Sequence, residues 1–175
     1  VSGEVPVGDA PSDLAANDTL DVLVTNKGSD DVTLVSGSYS GPNDTLEFRA
    51  TQTLPAGNSP AAVISTGARP GNEGIAYLVV NEGSNTVTTY GWDGDQLGVL
   101  ESIRVGDRPT AISSFRTGVK GTSGYVVTNG GSNDVSILTG SGGSLDPAGR
   151  FKAGSSPTAI TPLTFSDYFS PDLAV

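Results

Sequence analysis

The side chains that could do chemistry are few in this chain, and no spacing gathers them. It contains no cysteine, histidine or methionine. Without an imidazole, a serine nucleophile lacks its usual base. Without imidazole or thiolate, zinc, haem and copper lose their usual ligands. Oxygen donors remain, and these suit a hard cation such as calcium. The acids Asp9, Glu73, Asp107 and Asp167 are scattered, whereas glycoside hydrolysis needs two carboxyl groups facing one bond. No phosphate-binding or dinucleotide fingerprint occurs. The only tryptophan, Trp92, sits in Gly91-Trp92-Asp93-Gly94-Asp95. An exposed indole there could stack on a sugar, or the ring could cover a sheet edge at a hairpin tip. Asn26, Asn81 and Asn129 each follow an apolar run. They read either as amides ringing a binding surface or as turn residues that tolerate a left-handed backbone. No catalytic constellation and no cofactor site emerge, so the expectation is a chain that is not an enzyme.

The elements that must position these residues are set by a repeat. Gly-x-x-Pro occurs at Gly8, Gly57, Gly106 and Gly154, at intervals of 49, 49 and 48 residues. A short apolar run follows each, and Ile64, Ile112 and Ile160 are expected at matching places in successive sheets. A second signature keeps step: Thr25-Asn26 leads to Gly28-Ser29-Asp30, Val80-Asn81 to Gly83-Ser84-Asn85, and Thr128-Asn129 to Gly131-Ser132-Asn133. Each period holds four short segments rich in Val, Ile, Thr and Tyr, bounded by Gly, Asn, Asp and Ser. The third segments run Asp31–Val35, Thr86–Tyr90 and Asp134–Leu138, and a fourth begins near Leu100. No segment has a helical period. A lone four-stranded sheet cannot hide both of its faces, whereas sheets stacked at a period of about 48 residues can. The fold class is therefore all-β: β-propeller blades of four antiparallel strands, about three full blades plus partial ones. Residues 1–175 form a single propeller segment, with repeats near 8–56, 57–105 and 106–153 and a partial one at 154–175. Val1–Val7 reads as the last strand of a preceding blade, and the segment as one arc of a larger ring.

The run Gly131-Ser132-Asn133-Asp134-Val135-Ser136-Ile137-Leu138 and the tetrad Gly154-Ser155-Ser156-Pro157 resemble the FG-GAP repeats, also called VCBS-type, the blades of integrin α heads and bacterial surface proteins. The YVTN-type propeller repeat is a close rival, since it shares the Thr-Asn and Gly-Ser-Asn elements. The 20 residues from Pro109 to Asn129 and the 21 from Pro60 to Asn81 leave room for the loop that FG-GAP blades carry. That family's calcium loop corresponds to Thr164–Asp172, where only Asp172, with Asp167 displaced by one, keeps an acid. Calcium takes six to eight oxygens, so these loops are expected not to hold it.

The formal charge is −10, from 19 acidic and 9 basic residues. Scattered lysines and arginines argue against a nucleic-acid partner. No stretch is apolar enough to span a membrane as a helix. The resemblance implies an extracellular or cell-surface binding or assembly module, with the periplasm as a further possibility and a protein or glycan as partner. Two alternatives stand beside it: part of a carbohydrate-active propeller enzyme, and a structural spacer in a surface layer or appendage.

Overall fold

The computed structural model describes residues 3–68, 71, 74–163 and 172–174. Among them are strands only. The first sheet holds β1 (Pro11–Ala16), β2 (Asp21–Asn26), β3 (Asp31–Ser40) and β4 (Thr45–Pro55). The second holds β5 (Pro60–Ser65), β6 (Ile75–Asn81), β7 (Thr86–Asp93) and β8 (Gln96–Arg104). The third holds β9 (Pro109–Arg116), β10 (Ser123–Asn129), β11 (Asp134–Ser141) and β12 (Ser144–Lys152). A two-stranded sheet follows, β13 (Thr161–Leu163) with β14 (Asp172–Ala174). Every sheet is an antiparallel meander in chain order. The first strands β1, β5 and β9 pack side by side, β13 follows β9, and the outer strands β4, β8 and β12 touch more sparsely. The sheets therefore fan out from a common line of inner strands, as propeller blades do.

Register repeats as faithfully as topology. Each blade carries one irregularity between its third and fourth strands, at Leu34/Val35, Thr89/Tyr90 and Ile137/Leu138. Such bulges increase the local twist, and here they recur at one place per blade. Each blade also opens with proline as its first residue beside another irregularity, where a missing N–H costs the ladder least. The third strands extend well beyond the five residues expected of them. The ladder continues through Gly37, Gly91 and Gly140 to the hairpin tips. At the third tip, Gly142 and Gly143 have φ of 64° and 100°, as a two-residue hairpin turn requires.

The core lies between blades. The trailing face of the first blade, with Leu23, Val32 and Leu34, packs on the leading face of the second, with Val63, Tyr77, Val79, Tyr90 and Leu97. The trailing face of the second, with Leu78, Val80, Val87 and Ile103, packs on Ile112, Tyr125, Val127, Leu138 and Leu145 of the third. The middle blade is thus buried on both sides, and Ala76 to Asn81 are all buried in sequence. This explains why β6 reads as a continuous apolar run rather than an alternation.

Two sequence expectations change. Ile64 does not share a place with Ile112: Val63 opposes Val79 as Ile112 opposes Val127, so Val63 is the true equivalent. Ile64, one residue on, turns to the other face and packs from the second blade into the core that contains Ile112. The stacking survives because both neighbouring residues are apolar. Residues 3–7 form no strand. Val5 and Val7 are half-buried and line a cleft with Val22, Val24 and Val35 of the first blade.

Truncating a buried contact between blades leaves a cavity that the sheets cannot close. Leu78→Ala is expected to cost about 2–5 kcal/mol in urea unfolding. Val119→Ala, at a residue 63% exposed in the β9–β10 connection, is expected to stay within about 0.5 kcal/mol.

Candidate functional site

The recurring motifs meet at one end of the fan. The Gly-x-x-Pro turns that enter β1, β5 and β9 lie against the hairpins that join β2 to β3, β6 to β7 and β10 to β11. In the second blade the Asn58 N–H donates to Ser84 Oγ at 3.1 Å, and the Asn58 carbonyl accepts the Gly83 N–H at 2.9 Å. Asp9 makes the same pair with Ser29 and Gly28, and Asp107 with Ser132 and Gly131. The glycines of the first three tetrads, Gly8, Gly57 and Gly106, are required by contact rather than by φ. A Cβ on Gly57 would lie 2.3 Å from Ser84 Oγ, and one on Gly106 2.5 Å from Asn129 Cγ.

At this end the left-handed residues bearing a Cβ are the third of each tetrad, Ala10, Ser59, Arg108 and Ser156, and the hairpin residues Asp30, Asn85 and Asn133. These two sets bond across the gap between blades. Asp30 Oδ1 accepts the Ser59 N–H, Asn85 Oδ1 the Arg108 N–H and Asn133 Oδ1 the Ser156 N–H, each at 2.7 Å. Aspartate and asparagine tolerate the left-handed region better than other side chains bearing a Cβ, and their short side chains are what make this reach. The two sequence motifs are thus halves of one contact that staples each blade to the next. Further polar links join the outer strands, where Gln52 Oε1 and Glu101 Oε1 accept the Leu97 and Leu145 N–H groups of the following blade.

Asn26, Asn81 and Asn129 are neither a surface ring nor left-handed turn residues. They are completely buried at the ends of β2, β6 and β10. Each Nδ2 donates to two third-strand side chains: Asp31 and Thr33, Thr86 and Thr88, Asp134 and Ser136. Asn81 Oδ1 accepts the Gly57 N–H at 3.1 Å. In the third blade the Gly106 N–H turns to Ser136 Oγ instead. These amides tie the two strands of each hairpin together, and Asn81 also holds the tetrad beside it, whereas Asn26 Oδ1 and Asn129 Oδ1 are buried without a hydrogen-bond partner among the described residues. The periodic Asn was visible in sequence, and the Thr or Ser two residues into each third strand was the overlooked signal for its partner.

Electrostatics reinforce the same end. Burial works to raise the Asp134 carboxyl, but hydrogen bonds from Asn129, Ser132 and Arg150 and the Arg150 charge outweigh it and hold the group below the ordinary carboxylate range. Glu82 accepts from Lys27 at 2.7 Å and from Arg108 at 3.3 Å, linking turns of three blades. Its carboxyl is lowered chiefly by the Lys27 bond. Exposed pairs of this kind contribute about 0.2–1 kcal/mol at most. Tyr90 and Tyr77 are raised, first by burial and then by the charges of Asp31 and Asp21, and the Tyr90 hydroxyl donates to the Pro55 carbonyl of the blade before it.

With the backbone locked, the second residue of each tetrad presents a side chain that differs along the fan. Asp9, Asn58, Asp107 and Ser155 are all exposed. Asp9 and Asp107 therefore belong to a row that also carries an amide and a hydroxyl, and not to an isolated carboxylate pair. Glu73 and Asp167 lie outside the described residues. Asp172 opens β14, opposite Leu163. Trp92 is half-buried against the core between the first two blades, and its Nε1 donates to the Ala68 carbonyl at 3.2 Å. At the other end of the fan, a cleft of about 580 Å³ lies between the second and third blades. Thr66, Ser123, Ser144 and several glycines line it, with no charged side chain among the described residues. No cluster of three or more potential metal ligands occurs among the described residues.

The chain matches no sequence-family model and no curated protein. Solved structures do match. A functionally unknown protein from Desulfotomaculum acetoxidans aligns with a TM-score of 0.66 at 18% identity, over 85% of this chain and 44% of its own. A putative 6-phosphogluconolactonase from Bacteroides uniformis aligns with 0.64 at 12%, over 86% and 43%. A protein from Lactobacillus plantarum aligns with 0.60 at 17%, over 90% and 47%. The fold is that of β-propeller blades. This chain spans less than half the length of these structures. The likeness extends to the blades but not to the FG-GAP family as such. It also corrects the expectation that the chain is not an enzyme: one of the chains that share its fold is the putative lactonase, so the blade fold does not exclude catalysis.

Two outcomes follow for the turn end. Asn85→Gly removes the bond to the Arg108 N–H and is expected to cost about 0.5–1.5 kcal/mol. Asn85→Ala also forces a Cβ-bearing residue without that bond into φ 59°, adding about 1–2 kcal/mol, so urea unfolding should rank Ala below Gly. For Asp134, whose folded pKa is depressed, the stabilisation is present above the unfolded value of about 3.9 and is lost as pH falls through the folded one. Unfolding midpoints measured from neutral pH downwards should fall less steeply below about pH 4 in Asp134→Asn than in the wild type.

Proposed function

We propose that the chain is a propeller binding module whose contact surface is the exposed row Asp9, Asn58, Asp107 and Ser155. The observation that carries this reading is the contrast within each tetrad. Backbone, glycine and proline repeat, and hydrogen bonds hold the first three turns to one shape, while the outward side chain changes from blade to blade. A rigid frame presenting different groups at regular steps suits recognition, because little conformational freedom is lost on binding. Two of the four groups are carboxylates on a chain of charge −10, which favours a cationic or hydroxyl-rich partner. The resemblance of the repeats to FG-GAP blades supports adhesion or assembly at a cell surface, with a protein or glycan as ligand; this step is analogy from fold.

The likeness to the putative 6-phosphogluconolactonase supports a second reading, in which the same row forms part of a sugar-lactone hydrolase site. One set of variants separates the two. On a printed glycan array and against immobilised cationic peptides, the wild type is expected to bind, and Asp9→Asn with Asp107→Asn to bind at least about tenfold more weakly, a loss of about 1.4 kcal/mol. Equal binding by both proteins would contradict the row as contact surface. Hydrolysis of 6-phosphogluconolactone by the wild type, abolished in the double variant, would establish the second reading.

A further inference from the structure

We infer that the cleft between the second and third blades is a binding site for an uncharged saccharide. Tyr125, Gly140 and Leu145 stand in its third-blade wall. Register equates them with Tyr77, Trp92 and Leu97 of the second blade. Gly140 pairs with Leu145 as Trp92 pairs with Leu97, and Tyr125 with Leu138 as Tyr77 with Tyr90. Leu97 and Leu145 are both buried, so the difference lies in the other two positions. Between the first two blades, Trp92 packs on the core, and the Tyr77 hydroxyl donates across to the Asp21 carbonyl at 3.4 Å. Between the second and third blades neither closure is made. Glycine takes the place of the indole. The carbonyl matching that of Asp21 belongs to Ala76, five residues before Asn81 as Asp21 is before Asn26. It accepts the N–H and the hydroxyl of Thr66, from its own blade, at 2.9 and 3.3 Å. The interface therefore stays open by about 580 Å³ at this end. The third hairpin cannot close it with a side chain of its own at this position, because a Cβ on Gly140 would run into the Ser144 carbonyl oxygen.

The lining sets the chemistry of the ligand. Ser123, Ser141 and Ser144 bring exposed hydroxyls to the cleft, and a hydroxyl both donates and accepts. Gly67, Gly71, Gly74 and Gly142 present peptide groups without side chains, and a Cβ on any of them would meet nothing within 4 Å. Ile75 and Leu145 supply apolar wall. No charged side chain lines the cleft among the described residues, so a charged ligand would lose hydration there without gaining a partner. An uncharged saccharide carries the complementary set, hydroxyls around its edge and C–H groups on the face of its ring. The volume falls within the range of about 300–1,000 Å³ usual for small-molecule sites and suits a mono- or disaccharide. This inference does not rest on the exposed row, which lies at the opposite end of the fan.

The test is an NMR titration of the 175-residue chain with neutral mono- and disaccharides of glucose, galactose and mannose. Glucuronate, glucosamine and glucose 6-phosphate serve as charged comparisons. At least one neutral sugar is expected to bind with a Kd of about 1 mM or below, and at least about tenfold more tightly than any charged comparison. Ser144→Trp puts an indole into the cleft, and Ser123→Ala with Ser144→Ala removes two of its hydroxyls. Each should weaken that binding at least about tenfold, while Tyr39→Ser, on β3 of the first blade, should leave it unchanged. Circular dichroism shows whether each variant keeps its sheets, and the alanine pair decides the matter where the tryptophan disturbs the hairpin. Failure of every neutral sugar to bind, equal binding of a charged comparison, or binding indifferent to the cleft variants would overturn the inference.

Discussion

A four-stranded sheet whose two faces are both apolar cannot rest in water on either side. That constraint organises this molecule. Leu78 and Val80 point one way from β6 and Tyr77 and Val79 the other, and all four are completely buried. Burying each such side chain contributes about 1.5–3 kcal/mol, and only a neighbouring sheet on each side can do so. The order of the blades, their fan shape and the position of the turn motifs follow from that packing.

Hydrophobic contact alone would let the sheets slide, since aliphatic surfaces carry little directional information. The polar contacts remove that freedom. A bond at 2.7 Å from Asp30, Asn85 or Asn133 to the next tetrad sets height along the inner edge. Gln52 and Glu101 set it along the outer edge. Both kinds of contact join neighbouring blades, so a blade's place is fixed twice, and the tetrad turns inherit a common geometry. The exposed row is rigid for that reason, and the function proposed for it depends on that rigidity.

Much of this was legible in the residues. The interval between tetrads gave the blade, and β-branched runs between Gly, Asn and Ser clusters gave the strands. What escaped had physical causes. Val63 and Ile64 are adjacent and both apolar, so composition could not say which faces forward, and only pairing with Val79 decides it. Asn81 resembles a turn residue, yet it is buried and its donors are satisfied by Thr86 and Thr88, partners that a reading by residue type does not join to it. The glycines of the first three tetrads leave room for the serine hydroxyl of the hairpin beside them, a close approach that residue type alone does not reveal. A cross-blade bond spanning 23 to 29 residues has no local sequence signature. The absence of histidine weighed too heavily against catalysis, because it spoke of one mechanism and not of the fold.

Native-state hydrogen exchange at the tetrads tests the staple most directly. Ser59, Arg108 and Ser156 donate to the preceding blade, while Ala10 adopts the same backbone without an acceptor among the described residues. The account predicts that the first three amides are protected nearly as well as those of β6, and that Asn85→Gly strips protection from Arg108 while leaving Ser59 and Ser156 protected. Unchanged exchange at Arg108 in that variant would contradict it.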